Sequence, residues 1–500
     1  MTIYNEYSRA KVGWVLGLSG VQAATLVAAA FPTLIAISKS EWITAFTLAL
    51  VFVLVALIVV VPVRGRSATG WLAATTAFAI GLITGRTRYR SRAAKGQPSD
   101  LEKVDLPGAL TGIEIHEGPP AGPAQTRLAI IQNHATRTWA LTASVAHPGI
   151  RMADEATRDR FGAGLANLLE VCSRTELIDE VLFMVRSVPD DGAERRQWVE
   201  SHRKVDGPQL AHRVNDEMHE VFTGAAVRTE TFVTMVVSES RLAKEAKEAG
   251  GGLDGRARVL YLLAGEIEAG LRGAVGMADV VWLTSPELSA ACRTGFAPGD
   301  RAGIVDALRE AQGTPGVAAD VPWAMAGPSG ADPVVRHYSH DCWNSISATI
   351  KLPDKGAVMG ALAPILVPTE PAERRSFVVA FPVLTQARAE RQTRSSETGA
   401  DIADALREKG KVKQRARERE QSKKVRGIDT KLAHGSALTQ PYAVATVTVP
   451  KTARVGEFGR RLDSSVRRAG FAPLRLDLAQ DVAFASSTIP LGVSLARGAQ

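Results

Sequence analysis

VGWVLGLSGVQAATLVAAAFPTLIAI at Val12–Ile37 and ITAFTLALVFVLVALIVVVPV at Ile43–Val63 are separated only by Ser38-Lys39-Ser40-Glu41-Trp42. A bilayer core of ~30 Å is crossed by about 20 apolar helical residues, and both runs meet that length. The first run is too long for the apolar region of a signal peptide and has no small-residue cleavage site ahead of the second. A connector this short reads as a tight turn at a membrane surface. The expectation is a transmembrane α-hairpin within residues 1–66, carrying a soluble α+β region.

Basic residues orient the hairpin. Arg9 and Lys11 precede the first run, Arg64 and Arg66 follow the second, and Arg86, Arg88, Arg90, Arg92 and Lys95 lie beyond. The connector holds one Lys and one Glu, so both termini are placed in the cytoplasm of a multi-pass protein of the inner (plasma) membrane. Trp14 and Trp42 suit the headgroup layer. Ser67–Gly85 is apolar but diluted by five Ser/Thr and three Gly, and a third crossing would carry the basic cluster outside. Residues 67–96 therefore read as an interfacial helix, with Trp71, Leu72, Phe78, Leu82 and Ile83 toward lipid or a partner, followed by a basic juxtamembrane segment. Arg64, Arg66, Arg86, Arg88, Arg90, Arg92 and Lys95 are the candidate membrane-surface contacts, drawn to anionic lipid.

The net charge of +8 over 500 residues is modest. Cys172, Cys292 and Cys342 are too widely spaced for a disulfide framework or a zinc pattern, and read as small buried hydrophobes. A soluble part of about 400 residues exceeds what one core organises, so two subdomains are expected, 97–325 and 326–500.

Residues 95–123 read as a Gly/Pro linker with a short apolar alternation at Leu110–Ile115. Strand patterns follow at Arg127–Asn133, Trp139–His147, Ile178–Val188, Thr231–Val237 and Val280–Leu283. Helical spacing appears at Asp154–Ser173, Pro208–Phe222 and Arg256–Arg272, and Ser285 is the expected cap of a further helix. The second block shows strands at Val334–Tyr338, Trp343–Ile350, Ser376–Phe381, Tyr442–Val449 and Leu474–Leu478, and a helix at Val455–Ala469. Alternating strands and helices argue for mixed α/β layers built from ferredoxin-like units. Residues 384–436 differ: Arg388–Arg426 holds 13 basic and seven acidic residues and no apolar stripe, which suggests a charged helical arm inserted between two strands.

Catalytic patterns are missing. Gly410-Lys411 has neither the upstream glycine nor the Ser/Thr of a phosphate-binding loop. Gly250–Gly252 lies between helical segments and reads as a break. His337, His340 and Cys342 form no four-ligand set, and His212 and His219 match no metal-binding helix pattern. No Ser, His and Asp can be grouped as a hydrolase signature. No catalytic, cofactor-binding or metal residue is therefore named. The arm lacks interleaved aromatics, so direct nucleic-acid contact is not expected; Arg415, Arg417 and Arg419 are candidate protein contacts.

The short basic N-terminus, tight hairpin and Arg-Gly-Arg exit resemble the PrgI-like small membrane proteins of conjugative type IV secretion. Trp139–Ser144, Val181–Asp190 (VLFMVRSVPD), Leu283–Pro298 and Gln480–Gly492 (QDVAFASSTIPLG) resemble the amino-terminal, non-motor part of the conjugation ATPases. In those ATPases a segment of the last type shortly precedes the motor, whereas eight residues follow Gly492 here. The whole looks like the actinobacterial membrane proteins that fuse the two parts and leave the motor to a separate polypeptide. The resemblance implies a non-enzymatic scaffold, oligomeric within an assembly, whose partners are the bilayer, a separate secretion ATPase and other apparatus subunits. A type VII secretion component with a two-helix anchor is the alternative within this class, and a membrane-bound enzyme is the alternative outside it.

Overall fold

The computed structural model describes residues 3–4, 20–60, 62–63, 66–85, 87–97, 100–150, 152–225, 227–314, 316–332, 334–351, 356–370, 373–391, 427, 432 and 436–495. They divide into a smaller unit, 5–83 with 384–438, and a larger one, 1–4 with 84–383 and 439–500. The smaller unit holds α1 (Gly20–Ser38), α2 (Trp42–Val60) and α3 (Ala68–Ile83). The chain reverses between α1 and α2 at Ser40, whose φ is +60°. The two helices pack on each other, with Ala36 and Ala45 buried near the turn. Their outer faces stay open: Ile43 is 84% and Phe46 72% exposed.

Trp42–Val59 is the one helix among the described residues that is long and apolar enough to cross a membrane. One helix of spanning length is therefore shown, and the second span of the expected hairpin is not. The apolar stretch of α1 is shorter, Thr25–Ser38, and residues 12–19 of the expected first span lie outside the described residues. Trp14, Arg64 and Arg86 lie outside them too.

The larger unit is built on one antiparallel sheet of 13 strands. In chain order these are β1 (Tyr89–Arg90), β2 (Ile113–Ala121), β3 (Thr126–Asn133), β4 (Thr138–Ala146), β5 (Ile178–Pro189), β6 (Val227–Ser238), β7 (Asp279–Trp282), β8 (Gly330–Asp332), β9 (Tyr338–His340), β10 (Trp343–Lys351), β11 (Arg374–Pro382), β12 (Tyr442–Pro450) and β13 (Ala472–Arg475). Across the sheet they run β1-β8-β9-β10-β12-β11-β5-β6-β4-β3-β2, with β7 also on β4 and β13 also on β10. The helices of this unit are α4 (Glu155–Thr175), α5 (Ala193–His202), α6 (Gln209–Ala225), α7 (Glu239–Glu248), α8 (Gly252–Gly270), α9 (Ser285–Phe296), α10 (Arg301–Gly313), α11 (Val455–Arg468) and α12 (Gln480–Thr488).

Side chains alternate across a strand, so the long central strands feed two cores. On one face α4, α7 and α8 bring Leu168, Leu242, Leu260 and Ile267 onto Leu141, Val181 and Met235. On the same face α11 brings Phe458, Leu462 and Val466 onto Ile346, Phe377 and Val447. Beneath the other face α9 and α12 contribute Leu288, Phe296 and Phe484 against Leu182, Met184, Val378 and Val444. Each fully buried side chain of this size contributes about 1.5–3 kcal/mol.

The sheet contains an internal repeat. The segment β4-α4-β5-β6-α7-α8-β7 has spatial order β5-β6-β4-β7, and β10-β11-β12-α11-β13 has order β11-β12-β10-β13. Thr142 and Thr234 share a buried hydroxyl hydrogen bond of 2.9 Å; at the matching positions Ser347 and Thr446 share one of 2.6 Å. Glu239 N donates to Arg137 O at 2.9 Å, and Lys451 N donates to Cys342 O at 2.8 Å. Phe232 faces Met184 and its counterpart Val444 faces Val378, which makes Met184 the counterpart of Val378. Those two residues face each other in the β5–β11 pair. A pseudo-two-fold axis therefore passes through the Met184–Val378 pair. The α5–α6 hairpin and the segment 384–438 are insertions at equivalent points, one between β5 and β6, the other between β11 and β12.

Several elements differ from expectation. The expected linker 95–123 contains β2, an edge strand. The helix after β7 is capped by Thr284, not Ser285, through a capping box with Glu287. The strand expected at Val334–Tyr338 begins at Tyr338, and that expected at Leu474–Leu478 runs instead over Ala472–Arg475. The expected boundary at 325/326 falls between α10 and β8, where one half succeeds the other within a single sheet. Residues 392–426 of the expected arm lie outside the described residues.

The axis yields a prediction. Met184→Ala is expected to destabilise the detergent-solubilised protein by about 2–5 kcal/mol in chemical denaturation. Combined with Val378→Ala, the loss should depart from the sum of the single losses by at least about 0.5 kcal/mol, because the two side chains touch across the axis. Strict additivity would show that they do not share one packing environment.

Candidate functional site

A cavity of about 490 Å³ opens beside the turn between β3 and β4, next to edge strand β2. That volume lies within the ~300–1,000 Å³ range of ligand clefts. The turn is shaped by Asn133, whose side-chain oxygen accepts from Ala135 N at 3.0 Å and Thr136 N at 3.2 Å. Asn and Asp make such turns because the side chain mimics the backbone acceptor. Arg137 then adopts a φ of +52°, and its carbonyl receives the amide of Glu239, the first residue of α7.

Glu239 organises the cavity wall. Its carboxylate accepts from the indole N–H of Trp139, from Arg256 Nε at 3.2 Å, and from Arg256 Nη2. The Arg256 guanidinium lies 5.4 Å from the centre of the Trp139 ring, and His116 stacks on that ring at 5.7 Å. His116 is held by Gln132 at 2.7 Å, and His134 by Glu114 at 2.8 Å. The hydrogen bond from Arg256 holds the Glu239 carboxyl below the usual carboxylate range, and the bond to His134 does the same for Glu114. A carboxylate kept anionic in this way is a poor general acid near neutral pH. The arrangement suits positioning of a polar group more than proton transfer.

The glycine run has a packing cause. Gly251 precedes α8 with a φ of +73°, and a Cβ on Gly255 would stand 2.2 Å from the carbonyl oxygen of Ala246 in α7. His340 is buried, 2.9 Å from Ser345 Oγ, with its ring 4.6 Å from that of Phe484; burial holds its pKa down to about 3. Cys342 is exposed, whereas Cys172 and Cys292 are buried and their thiols are pushed up to about 12. His212 is paired with Arg203 at the surface. Among the described residues, no three His, Cys, Asp or Glu side chains are placed to hold a metal ion.

The membrane-contact candidates separate. Arg66 belongs to a two-residue strand paired with Pro62–Val63. Arg88 and Lys95 are exposed. Arg90, in β1, instead donates to Asp332 at 2.8 Å, and the backbone N–H of Arg92 donates to Asp105 at 2.6 Å. Arg415, Arg417 and Arg419 lie outside the described residues.

Sequence reasoning missed a charge network around β5 and β6. Arg186 meets Glu230 at 2.6 Å, and Arg301 meets Asp191 at 2.7 Å and Glu194 at 2.6 Å. It also missed the fully buried pair Arg375–Glu373 at 2.7 Å. Set against known proteins, the chain matches no family model and no curated protein.

A depressed folded pKa contributes stability above the unfolded carboxylate value of ~4.3, and that contribution is lost as pH falls through the folded value. Glu239→Gln should therefore melt below the wild type at pH 7, and the gap should close as pH falls into the acid range. A gap independent of pH would show that the carboxylate's charge is not what matters.

Proposed function

We propose that this protein is a membrane-anchored scaffold of a conjugative, type IV-like secretion apparatus, and that its soluble sheet docks a separate ATPase. In this reading α1 and α2 form the transmembrane hairpin of an inner-membrane protein with both termini cytoplasmic. The observation that carries it is the exposed apolar surface of α2, a helix long and apolar enough to span a bilayer's thickness. Surface of that kind is expelled from water and accepted by lipid. The spatial strand order shared by the two halves, β5-β6-β4-β7 and β11-β12-β10-β13, favours ferredoxin-like units, as the resemblance to the non-motor part of conjugation ATPases implies. A scaffolding role, without catalysis or cofactor, agrees with a cavity whose carboxylate is tied to arginine.

The charged segment supplies attraction to an acidic partner surface, screened beyond ~8 Å at physiological salt. Co-purification from detergent should recover a hexameric ATPase of the same apparatus. Replacing residues 385–433 with a short Gly/Ser linker should leave the membrane level unchanged and lower that recovery sharply, as should charge reversal at Arg415, Arg417 and Arg419. Undiminished recovery in both variants would remove the segment from the docking role, and ATP turnover tracking a mutation in this chain would overturn the scaffold reading.

A further inference from the structure

The cavity beside the β3–β4 turn has a one-sided hydrogen-bonding capacity. Its side-chain carbonyl and carboxylate acceptors are already engaged. The Glu239 carboxylate takes the indole N–H of Trp139 and two donors of Arg256. Asn133 Oδ1 takes the amides of Ala135 and Thr136, and Gln132 Oε1 lies 2.7 Å from His116 Nε2. The donors are not engaged. The side-chain amide N–H groups of Asn133 and Gln132, and the whole Arg137 guanidinium, bond to no described residue, and all three side chains line the cavity. Asn133 is 5% exposed, and a donor left unmet at such a site is costly. Arg256 and Glu239 neutralise each other, so with the imidazoles neutral Arg137 is the one unanswered charge in the lining. Its φ of +52° is a conformation that Gly or Asn adopts more readily than Arg. Leu253, at the start of α8, supplies an apolar wall.

We propose that this cavity binds a small organic monocarboxylate, its charged end on Arg137 and the amides of Asn133 and Gln132, its apolar body against Leu253. Spare donors with no spare carbonyl or carboxylate acceptor select a ligand that accepts hydrogen bonds. A single unanswered guanidinium selects a single negative charge, and its planar fork matches a carboxylate through two parallel N–H···O bonds. The volume of about 490 Å³ has room for an organic body as well as the charged group. Such a site stands whether or not the sheet docks an ATPase.

The test uses the full-length protein in detergent, near neutral pH and at fixed ionic strength, with benzoate, benzamide and acetate as probes. Benzoate should raise the melting temperature saturably, by about 2–4 °C. Benzamide has the same body without the charge and should give no rise. Acetate has the charge without the body and should need at least about tenfold more to reach the same rise. Benzoate should also protect Arg137 from modification by phenylglyoxal, read by mass spectrometry on the peptide that carries it. Arg137→Asn suits the turn, because Asn tolerates a positive φ, and should lose the benzoate response. If that variant does not fold, protection of Arg137 in the unmutated protein decides the matter. Equal responses to benzoate and benzamide, acetate acting as strongly as benzoate, a benzoate response that survives in Arg137→Asn, or no response with Arg137 unprotected would each overturn the proposal.

Discussion

The antiparallel pairing of β5 with β11 is the contact on which the rest of the larger unit depends. It joins two repeats that carry separate helical cores on one face and share the α9/α12 core on the other. Register matters here because a one-residue slip of either strand would carry Met184 or Val378 out of the α9/α12 core to the opposite face of the sheet. The same slip would separate Arg186 from Ser376, which face each other across the pair. Covering one face with α4, α7, α8 and α11, and the other with α9 and α12, follows once these two strands are aligned.

Where the two halves have diverged says where specialisation sits. The cavity wall uses Arg137, Trp139 and Glu239; the equivalent positions in the second half are Cys342, Asn344 and Lys451. The hydroxyl pairs Thr142–Thr234 and Ser347–Thr446 are retained in kind, because a buried hydroxyl without a partner is costly. Buried hydroxyl pairs thus occur in both halves, while the charged wall lies beside the turn before β4. The insertions follow the same logic: both leave the sheet at equivalent points, one as the α5–α6 hairpin and the other as a polyampholytic segment.

Much of this was legible in the sequence wherever periodicity was strong. Apolar alternation marked β3, β4, β6 and β12 within a few residues, and Leu165, Leu168 and Cys172 marked α4. The missed helices have physical reasons. α5 has no apolar stripe and is held by pairs such as Arg196–Asp306 and a bond from Gln197 to Val305 O. α12 is buried nearly all round from Ala483 to Thr488, so it shows no amphipathic contrast. The repeat was invisible because its halves share size and polarity at matched positions, with few identities. The cavity was invisible because Trp139 and Glu239 are 100 residues apart in sequence. The transmembrane hairpin was the most direct reading of the opening residues, and the described helices supply one element of spanning length.

The claim that this platform is tethered to a membrane with its sheet in the cytoplasm is tested most directly by topology. A reporter active only outside the cell should be active when inserted at Ser40 and silent when fused after Lys95 or Gln500. External activity at Lys95 would contradict the account, because it would place the sheet on the far side of the membrane from any cytoplasmic ATPase.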